Sequence, residues 1–181
     1  MPRRSRIPQK QGSPDGFQTP SKALVPLAPY LHRGWTIWEC AAGEGNLVRG
    51  LELLRYDVYA TDILNDHDFL KQPPAAEFEC IVTNPPYSLK DQFLERCYSF
   101  EKPFALLMPL TALEGERKQR LYRQHGIQLI IPNQRINFET PYGVDQGSWF
   151  ATAWFTWKLN LPKDVNFVDI RGKSLEQMAL F

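Results

Sequence analysis

The tetrapeptide Asn84-Pro85-Pro86-Tyr87 contains the residue types that most directly suggest chemistry. Two successive prolines fix φ and have no backbone N–H, so the carbonyl groups beside them can point outward as acceptors. The Asn84 side chain adds another acceptor. Two adjacent acceptors can hold both hydrogens of a planar NH2 group and aim its nitrogen lone pair at an electrophile. The Tyr87 ring offers a flat surface for stacking, so the segment predicts a site for an amino group on a base.

A second signal is the glycine turn Gly43-Glu44-Gly45, which lies between a predicted strand and a predicted helix. Glycines in such a turn let backbone N–H groups approach a ligand closely. Asp62 ends the next strand, 17 residues past Gly45, where a carboxylate can hold both hydroxyls of a ribose. Position 48 is Val, so the run does not match the phosphate-binding Gly-x-Gly-x-x-Gly pattern. Glu39 would repel a pyrophosphate but suits an ammonium group, which favours S-adenosylmethionine over NAD.

The elements that must position these segments follow from the hydrophobic pattern. It predicts strands over 35–40, 57–60, 78–83, 104–108, 127–131 and 150–157, and helices over 21–32, 46–55, 89–100 and 114–125. Strands that alternate with helices indicate an α/β fold with a mostly parallel sheet and helices on both faces. No helix separates the last two strands, so we expect the last strand to be antiparallel.

Length and composition exclude several classes of protein. The chain has 181 residues, which suits one domain, and its 21 basic and 20 acidic residues leave a net charge of +1. Coating of nucleic acid by bulk charge is therefore excluded, although a local basic patch is not. The longest uncharged stretch, Gln146–Trp157, is 12 residues and too short to span a membrane. The three cysteines lie far apart, so we expect a reducing, cytoplasmic location and no metal site.

The motifs together resemble one family. The chain looks like an S-adenosylmethionine-dependent N6-adenine DNA methyltransferase of the amino-methyltransferase group, specifically the small phage or prophage type, over about residues 17–158. Asn84-Pro85-Pro86-Tyr87 matches the family's catalytic motif in full. Asp62 matches the acid that binds the cofactor ribose, and the cofactor loop of the family matches Glu39, Ala41, Gly43 and Gly45.

Two further segments are similar to cofactor motifs of this family. Phe17-Gln18-Thr19-Pro20 resembles the N-terminal motif, in which the Thr-Pro segment closes over the methionine end of the cofactor. Asp68-Phe69 lies where the family places a residue pair around the cofactor adenine. The resemblance therefore implies a Rossmann-like methyltransferase fold that binds S-adenosylmethionine through Phe17, Thr19, Pro20, Asp68 and Phe69 as well as the cofactor loop.

The resemblance also implies a mechanism and a substrate. Adenine N6 would attack the sulfonium methyl in line, with its hydrogens held by Asn84 and the Pro85 carbonyl. In duplex DNA the adenine must first be flipped out of the helix. The segment 132–148 offers two aromatic residues, Phe138 and Tyr142, of which we expect Phe138 to pack on the flipped base. The alternative is that Phe138 only anchors its loop.

Two groups of basic residues are candidates for DNA contacts. Arg117 and Arg120 share a face of a helix that carries four basic residues within seven positions. They predict a ridge that contacts phosphates, and the alternative is an ordinary solvated helix face. Arg135 is an isolated cation in the expected substrate loop. We place all three among the substrate-binding residues.

The ends of the chain suggest flanking segments. Residues 1–16 are basic and rich in Pro, Gln, Gly and Ser, which predicts a flexible tail, and residues 159–181 are expected to form a C-terminal tail. The last five residues resemble the peptide with which bacterial proteins dock on the DNA polymerase sliding clamp, with anchors at Gln177, Met178, Leu180 and Phe181. The alternative is that this segment packs on its own domain.

Three functions remain open from the sequence. The first is DNA adenine methylation, for which no stretch long enough for a separate target-recognition domain follows the motifs. The second is methylation of an RNA base or a protein glutamine, since the Asn-Pro-Pro-Tyr chemistry is shared. The third is a non-catalytic module recruited to the clamp, against which the intact Asn84 and glycine turn argue.

Overall fold

The computed structural model describes residues 18–140, 143–144 and 150–180. The elements follow each other along the chain with helices between the first strands. The strands are β1 Thr36–Glu39, β2 Asp57–Ala60, β3 Cys80–Thr83, β4 Phe104–Pro109, β5 Gln128–Pro132, β6 Glu139–Thr140, β7 Gly143–Val144, β8 Thr152–Trp157 and β9 Val165–Val168. The helices are α1 Asn46–Leu53, α2 Lys90–Ser99, α3 Glu116–His125 and α4 Leu175–Met178.

Seven strands form one mixed sheet in the order β2-β1-β3-β4-β8-β5-β9. Neighbours from β2 through β4 pair in parallel, whereas β8 lies between β4 and β5 and is antiparallel to both. β9 pairs in parallel with β5 at the edge, and β6 and β7 form a separate short hairpin. The α/β class, the mostly parallel sheet and the antiparallel β8 confirm the predicted fold.

The two faces of the sheet bury two separate groups of side chains because successive residues of a strand point to opposite faces. Ile37 packs with the apolar side of α1, whereas its neighbour Trp38 packs with α2. The α3 residue Leu121 belongs to the second group. Helices therefore cover both faces, and the loops that follow the parallel strands stay open at one edge of the sheet.

The segment 21–32 is not the single helix that we predicted. It forms two short 3-10 helices, Ser21–Leu24 and Ala28–Tyr30. Pro26 and Pro29 each lack the backbone N–H that a continuous helix needs, and each restricts the residue before it. The segment is nevertheless buried, and it brings the residues before Ser21 close to α1.

The segment after residue 158 belongs to the fold and is not a separate tail. β9 extends the sheet beyond β5, where Leu129 pairs with Val165 and Ile131 with Phe167. The short helix α4 packs through the buried Leu175 against α1. Sequence reasoning missed both elements because each is only four residues long and lacks a clear periodicity. The expected N-terminal tail, residues 1–16, lies outside the described residues.

Candidate functional site

The carboxyl ends of β1, β2 and β3 meet at one edge of the sheet, where they place three polar residues together. Glu39 ends β1, Asp62 follows β2 and Asn84 follows β3. All three line one cavity of about 360 Å³. The same cavity receives most of the other predicted catalytic and cofactor-binding residues, namely Thr19, Ala41, Gly43, Asp68, Phe69, Pro85 and Pro86.

Among the described residues, three of the predicted catalytic and cofactor-binding residues do not line this cavity. Pro20 precedes the first 3-10 helix, and Gly45 begins α1 with a left-handed φ of 80°. Tyr87 lies beside the cavity, in an aromatic cluster described below. Phe17 lies outside the described residues.

The glycine turn after β1 is held by Asp62. The Gly43 N–H donates a hydrogen bond of 2.8 Å to Asp62 Oδ2, and the Leu64 N–H donates one of 2.9 Å to Oδ1. Gly43 has a left-handed φ of 51°, and a Cβ atom there would lie only 2.8 Å from Gln18 Oε1. The left-handed conformation therefore favours glycine, and a larger residue would also displace the end of the Gln18 side chain. Gln18 Oε1 also accepts a hydrogen bond of 3.0 Å from the Glu44 N–H, which joins the N-terminal segment to the turn.

Glu39 is a buried carboxyl group with one uncommitted oxygen. Its side chain is 1% exposed, and Oε1 accepts a hydrogen bond of 3.0 Å from the Ala41 N–H. Oε2 has no hydrogen-bond partner among the described residues. Burial raises the pKa of Glu39 to about 8. A ligand with an ammonium group would supply a hydrogen-bond donor to Oε2 and a positive charge to balance the ionised carboxylate.

The far wall of the cavity is apolar and flat. Phe69 is buried there and packs against Phe93, with ring centroids 4.7 Å apart, and against Trp38 at 5.1 Å. Asp68 accepts hydrogen bonds from Lys71 and from the Leu70 N–H, which lower the pKa of its carboxyl group. The space bordered by Phe69 and by the polar Asp68 segment matches a purine ring in shape and polarity.

Sequence reasoning missed several residues of the cavity. Ile63 and Leu64 follow Asp62 and stay 66% and 80% exposed although they are apolar. The pair of apolar residues directly after Asp62 was the sequence signal that could have identified them. His67 precedes Asp68 and has a buried Nε2 without a hydrogen-bond partner among the described residues. The remaining missed residues are Gln18, Cys40, Ala42, Asn46, Leu47, Leu70, Leu89 and Phe93.

The Asn-Pro-Pro segment keeps its acceptors uncommitted. Asn84 Oδ1 is buried without a hydrogen-bond donor, and the Pro85 carbonyl receives no backbone hydrogen bond, in both cases among the described residues. The Pro86 carbonyl, by contrast, accepts a bond of 2.9 Å from the Leu89 N–H. The Tyr87 carbonyl accepts a bond of 3.0 Å from Lys90 Nζ. The acceptor pair expected from the sequence, Asn84 and the Pro85 carbonyl, is therefore available to a ligand.

Tyr87 packs in an aromatic cluster with Phe138 and Phe150. The Tyr87 ring meets Phe150 edge-on at 5.5 Å and Phe138 edge-on at 6.4 Å. Tyr87 Oη is buried without a partner among the described residues, and burial raises the pKa of this hydroxyl. Phe138 is 2% exposed, so in this structure its ring supports Tyr87 rather than facing a ligand. Its predicted contact with a base stays a prediction, and Tyr142 lies outside the described residues.

The arginines predicted to contact DNA differ in whether an acidic side chain already pairs with them. Arg117 on α3 binds the carboxylate of Glu95 on α2, and this ion pair raises the pKa of Arg117. Arg120 and Arg123 are exposed and have no ion pair among the described residues. Arg135 is exposed on the segment between β5 and β6. The structure thus makes Arg120 a better candidate for a phosphate contact than Arg117.

The C-terminal peptide is partly used by the fold itself. Gln177 forms a capping box with Ser174 at the start of α4, and Met178 packs against the core beside α1. Leu180 is 81% exposed, and Phe181 lies outside the described residues. Two of the four expected clamp anchors are therefore engaged within the domain, so the alternative of self-packing holds for Gln177 and Met178.

No cluster of three or more acidic, His or Cys side chains that could hold a metal ion occurs among the described residues. The helices in the described part of the chain are all too short or too polar to cross a bilayer. The cavity at the carboxyl edge of the sheet is thus the feature that concentrates polar and uncommitted groups.

A parallel sheet with an inserted antiparallel strand, a glycine turn after β1 and an acid after β2 define the Rossmann-like methyltransferase fold. Comparison with solved structures shows this fold. The methyltransferase subunit of a type I restriction-modification system from Streptococcus thermophilus is 20% identical, with a TM-score of 0.57 over 85% of this chain and 47% of that chain. A proposed class I S-adenosylmethionine-dependent methyltransferase from Listeria monocytogenes is 14% identical, with a TM-score of 0.58 over 89% of this chain and 67% of that one.

The type IIG restriction endonuclease BpuSI is a third similar structure, at 16% identity and a TM-score of 0.51 over 94% of this chain. The chain spans about half of the Streptococcus subunit and 27% of BpuSI. No protein-family model and no curated protein matches the sequence. The likeness to these structures therefore establishes the fold, and function must be argued from the site.

Proposed function

We propose that the protein transfers a methyl group from S-adenosylmethionine to the N6 amino group of adenine in DNA. The observation that carries the proposal is the pair of uncommitted acceptors, Asn84 Oδ1 and the Pro85 carbonyl, on the wall of a cavity that fits a nucleoside cofactor. A fold typical of methyltransferases supports it.

The residues of the cavity fit S-adenosylmethionine part by part. The buried Glu39 suits the ammonium group of the methionine end, as it has one unsatisfied oxygen. Asp62 lies where a carboxylate can accept from the ribose hydroxyls while it holds Gly43 and Leu64. Phe69 and the Asp68 segment border the space for the adenine ring. Gln18 and Thr19 close the cavity from the N-terminal side.

Bound S-adenosylmethionine supplies a methyl group that its sulfonium charge already activates. The chain's own residues then have to hold and orient the nucleophile. Asn84 Oδ1 and the Pro85 carbonyl accept from the two N6 hydrogens, and this turns the nitrogen lone pair toward the methyl carbon. As a bond forms from N6 to carbon and the sulfur–carbon bond breaks, N6 becomes cationic and both hydrogen bonds strengthen. The extra proton leaves to water afterwards.

DNA as the substrate rests on additional observations. The protein from Streptococcus thermophilus is the methyltransferase subunit of a type I restriction-modification system, and BpuSI is a type IIG restriction endonuclease. The exposed Arg120 and Arg123 present positive charge without an internal partner among the described residues. Extraction of a base into the site costs a few kcal/mol, which stacking near Tyr87 would offset. The small phage-type affiliation and the sliding-clamp contact through Leu180 and Phe181 stay predictions of the sequence.

The proposal is tested by incubating the protein with labelled S-adenosylmethionine and pools of DNA, RNA and protein. Label in DNA that is released as N6-methyl-2′-deoxyadenosine supports the proposal. Label in RNA or in a protein glutamine selects the alternative substrates, and label in none of the pools supports the non-catalytic module.

The role of Asn84 is tested with Asn84→Ala and the exposed Asn65→Ala as a matched control. Loss of one of two acceptors for the developing charge should lower turnover at least about 100-fold. S-adenosylmethionine affinity, measured by calorimetry, should stay within a few fold because Asn84 holds the other substrate. Full activity of Asn84→Ala would refute the mechanism.

A further inference from the structure

Lys90 occupies an unusual position at the beginning of α2. It is the first residue of the helix, where the partial positive charge of the helix N-terminus disfavours a cation. Its half-buried side chain folds back, and Nζ donates a hydrogen bond of 3.0 Å to the carbonyl of Tyr87. Lys90 therefore touches the segment that presents Asn84 and the Pro85 carbonyl.

The charge of Lys90 is not neutralised within the described residues. The neighbouring carboxylate, Asp91, pairs with Lys118 of α3 at 3.2 Å. No ion pair of Lys90 occurs in the described part of the chain. An ammonium group has three N–H donors, and the Tyr87 carbonyl accepts only one of them. A cation with two available donors thus lies beside the proposed catalytic segment.

We propose that Lys90 binds a phosphate of the nucleic-acid strand next to the target nucleotide and positions the Asn84–Tyr87 segment against that strand. This inference rests on the proposed function. A flipped base turns about its own backbone, so its flanking phosphates stay at the rim of the site. Leu89 and Pro86 line the cavity on either side of the Tyr87 region, which puts Lys90 at that rim. One ammonium group then links the phosphate to the Tyr87 carbonyl.

Lys158 provides a matched control within the same chain. Its Nζ also donates to a backbone carbonyl, that of Glu101, at 2.9 Å. Lys158 follows Trp157, which pairs with the first residue of β4, Phe104. It therefore lies at the opposite edge of the sheet, away from the cavity. Lys158→Met and Lys90→Met remove the same charge and the same kind of contact.

The experiment measures the affinity of an adenine-containing oligonucleotide duplex by fluorescence anisotropy over a range of salt concentrations. Loss of one phosphate contact should lower the slope of log affinity against log salt by about 0.9 in Lys90→Met. The slope of Lys158→Met should equal that of the wild type. Lys90→Arg keeps the positive charge and should restore the slope.

Steady-state kinetics give a second readout. A merely structural role of Lys90 would not change the KM for DNA while leaving the affinity for S-adenosylmethionine intact. In Lys90→Met the KM for DNA should rise about tenfold at physiological salt, whereas the dissociation constant of S-adenosylmethionine should not change. A slope equal to that of the wild type would refute the phosphate contact. Methylation of no nucleic acid by the wild type would refute the proposed function, while the anisotropy comparison would still decide the role of Lys90.

Discussion

The backbone N–H of Gly43 and the carboxylate of Asp62 are joined by a hydrogen bond of 2.8 Å, although 19 positions separate them in the chain. The bond ties the glycine turn after β1 to the end of β2. A second bond from the Leu64 N–H fixes the other oxygen of the same carboxylate. Asp62 thus shapes the floor of the cavity, so it has a structural role besides the ribose contact that we propose for it.

Asp62→Asn should separate these two loops. An amide group can accept from only one of the two N–H groups, because its NH2 end is itself a donor. The unpaired N–H should cost about 1–3 kcal/mol of stability, and S-adenosylmethionine affinity should fall at least about tenfold. Calorimetry and thermal denaturation measure both effects. Asp66→Asn, at an exposed left-handed position that Asn tolerates, is the control and should change neither.

S-adenosylmethionine affinity should depend on pH through Glu39. Burial raises the pKa of this carboxyl group to about 8, so below that pH it must lose a proton to pair with an ammonium group. An α-amino group itself loses its proton near pH 7.7–8.0. Affinity should therefore peak near pH 8 and fall about tenfold for each pH unit on the acid side. Equal affinity at pH 6 and pH 8 in calorimetric titrations would contradict this.

The carboxyl group of Glu39 should also make the stability of the cofactor-free protein depend on pH. The folded-state pKa of Glu39 lies above the ordinary value of 4.5 for a glutamate, so the folded state favours the protonated form. The contribution of the protonated Glu39 to the stability of the folded state is fully present below pH 4.5 and is lost as the pH rises toward 8. Glu39→Gln should be insensitive over this range. Urea denaturation of both proteins at pH 5.5 and pH 8 measures the difference, and parallel behaviour would exclude Glu39 as its source.

The sequence predicted the fold and 10 of the 21 residues that line the cavity, because these signals were local. Glycines at a turn, an acid at a strand end and a Pro-Pro step each act through their own backbone, so Gly43, Asp62 and Asn84 could be placed from spacing alone. The features that the sequence did not predict depend on tertiary contacts. The pairing of β9 with β5, the packing of α4 on α1 and the burial of Phe138 are set by distant residues. The Arg117–Glu95 ion pair between two helices was equally invisible.

Tyr87→Phe separates the ring of Tyr87 from its hydroxyl. Oη is buried and has no hydrogen-bond partner among the described residues, so its removal should leave stability unchanged or raise it by about 1 kcal/mol. The edge-on contact with Phe150 needs only the ring. Methyl transfer should therefore be retained in Tyr87→Phe and lost in Tyr87→Ala. A large loss of turnover in Tyr87→Phe would show instead that the hydroxyl contacts the substrate.

Gly50→Ala should report whether the C-terminal helix is docked on α1. In an exposed helix this change usually stabilises by about 1 kcal/mol. Here the new Cβ would lie 2.7 Å from Leu24 Cδ1 and 3.2 Å from Leu175 Cδ2. Overpacking of this kind should destabilise by about 1–3 kcal/mol in thermal or urea denaturation. Ser21 Cβ would lie at 3.0 Å, so Leu175→Ala removes one of three close side chains, and the double variant should lose less than the sum of the single changes. Additive losses would show that α4 does not rest on Gly50 in solution.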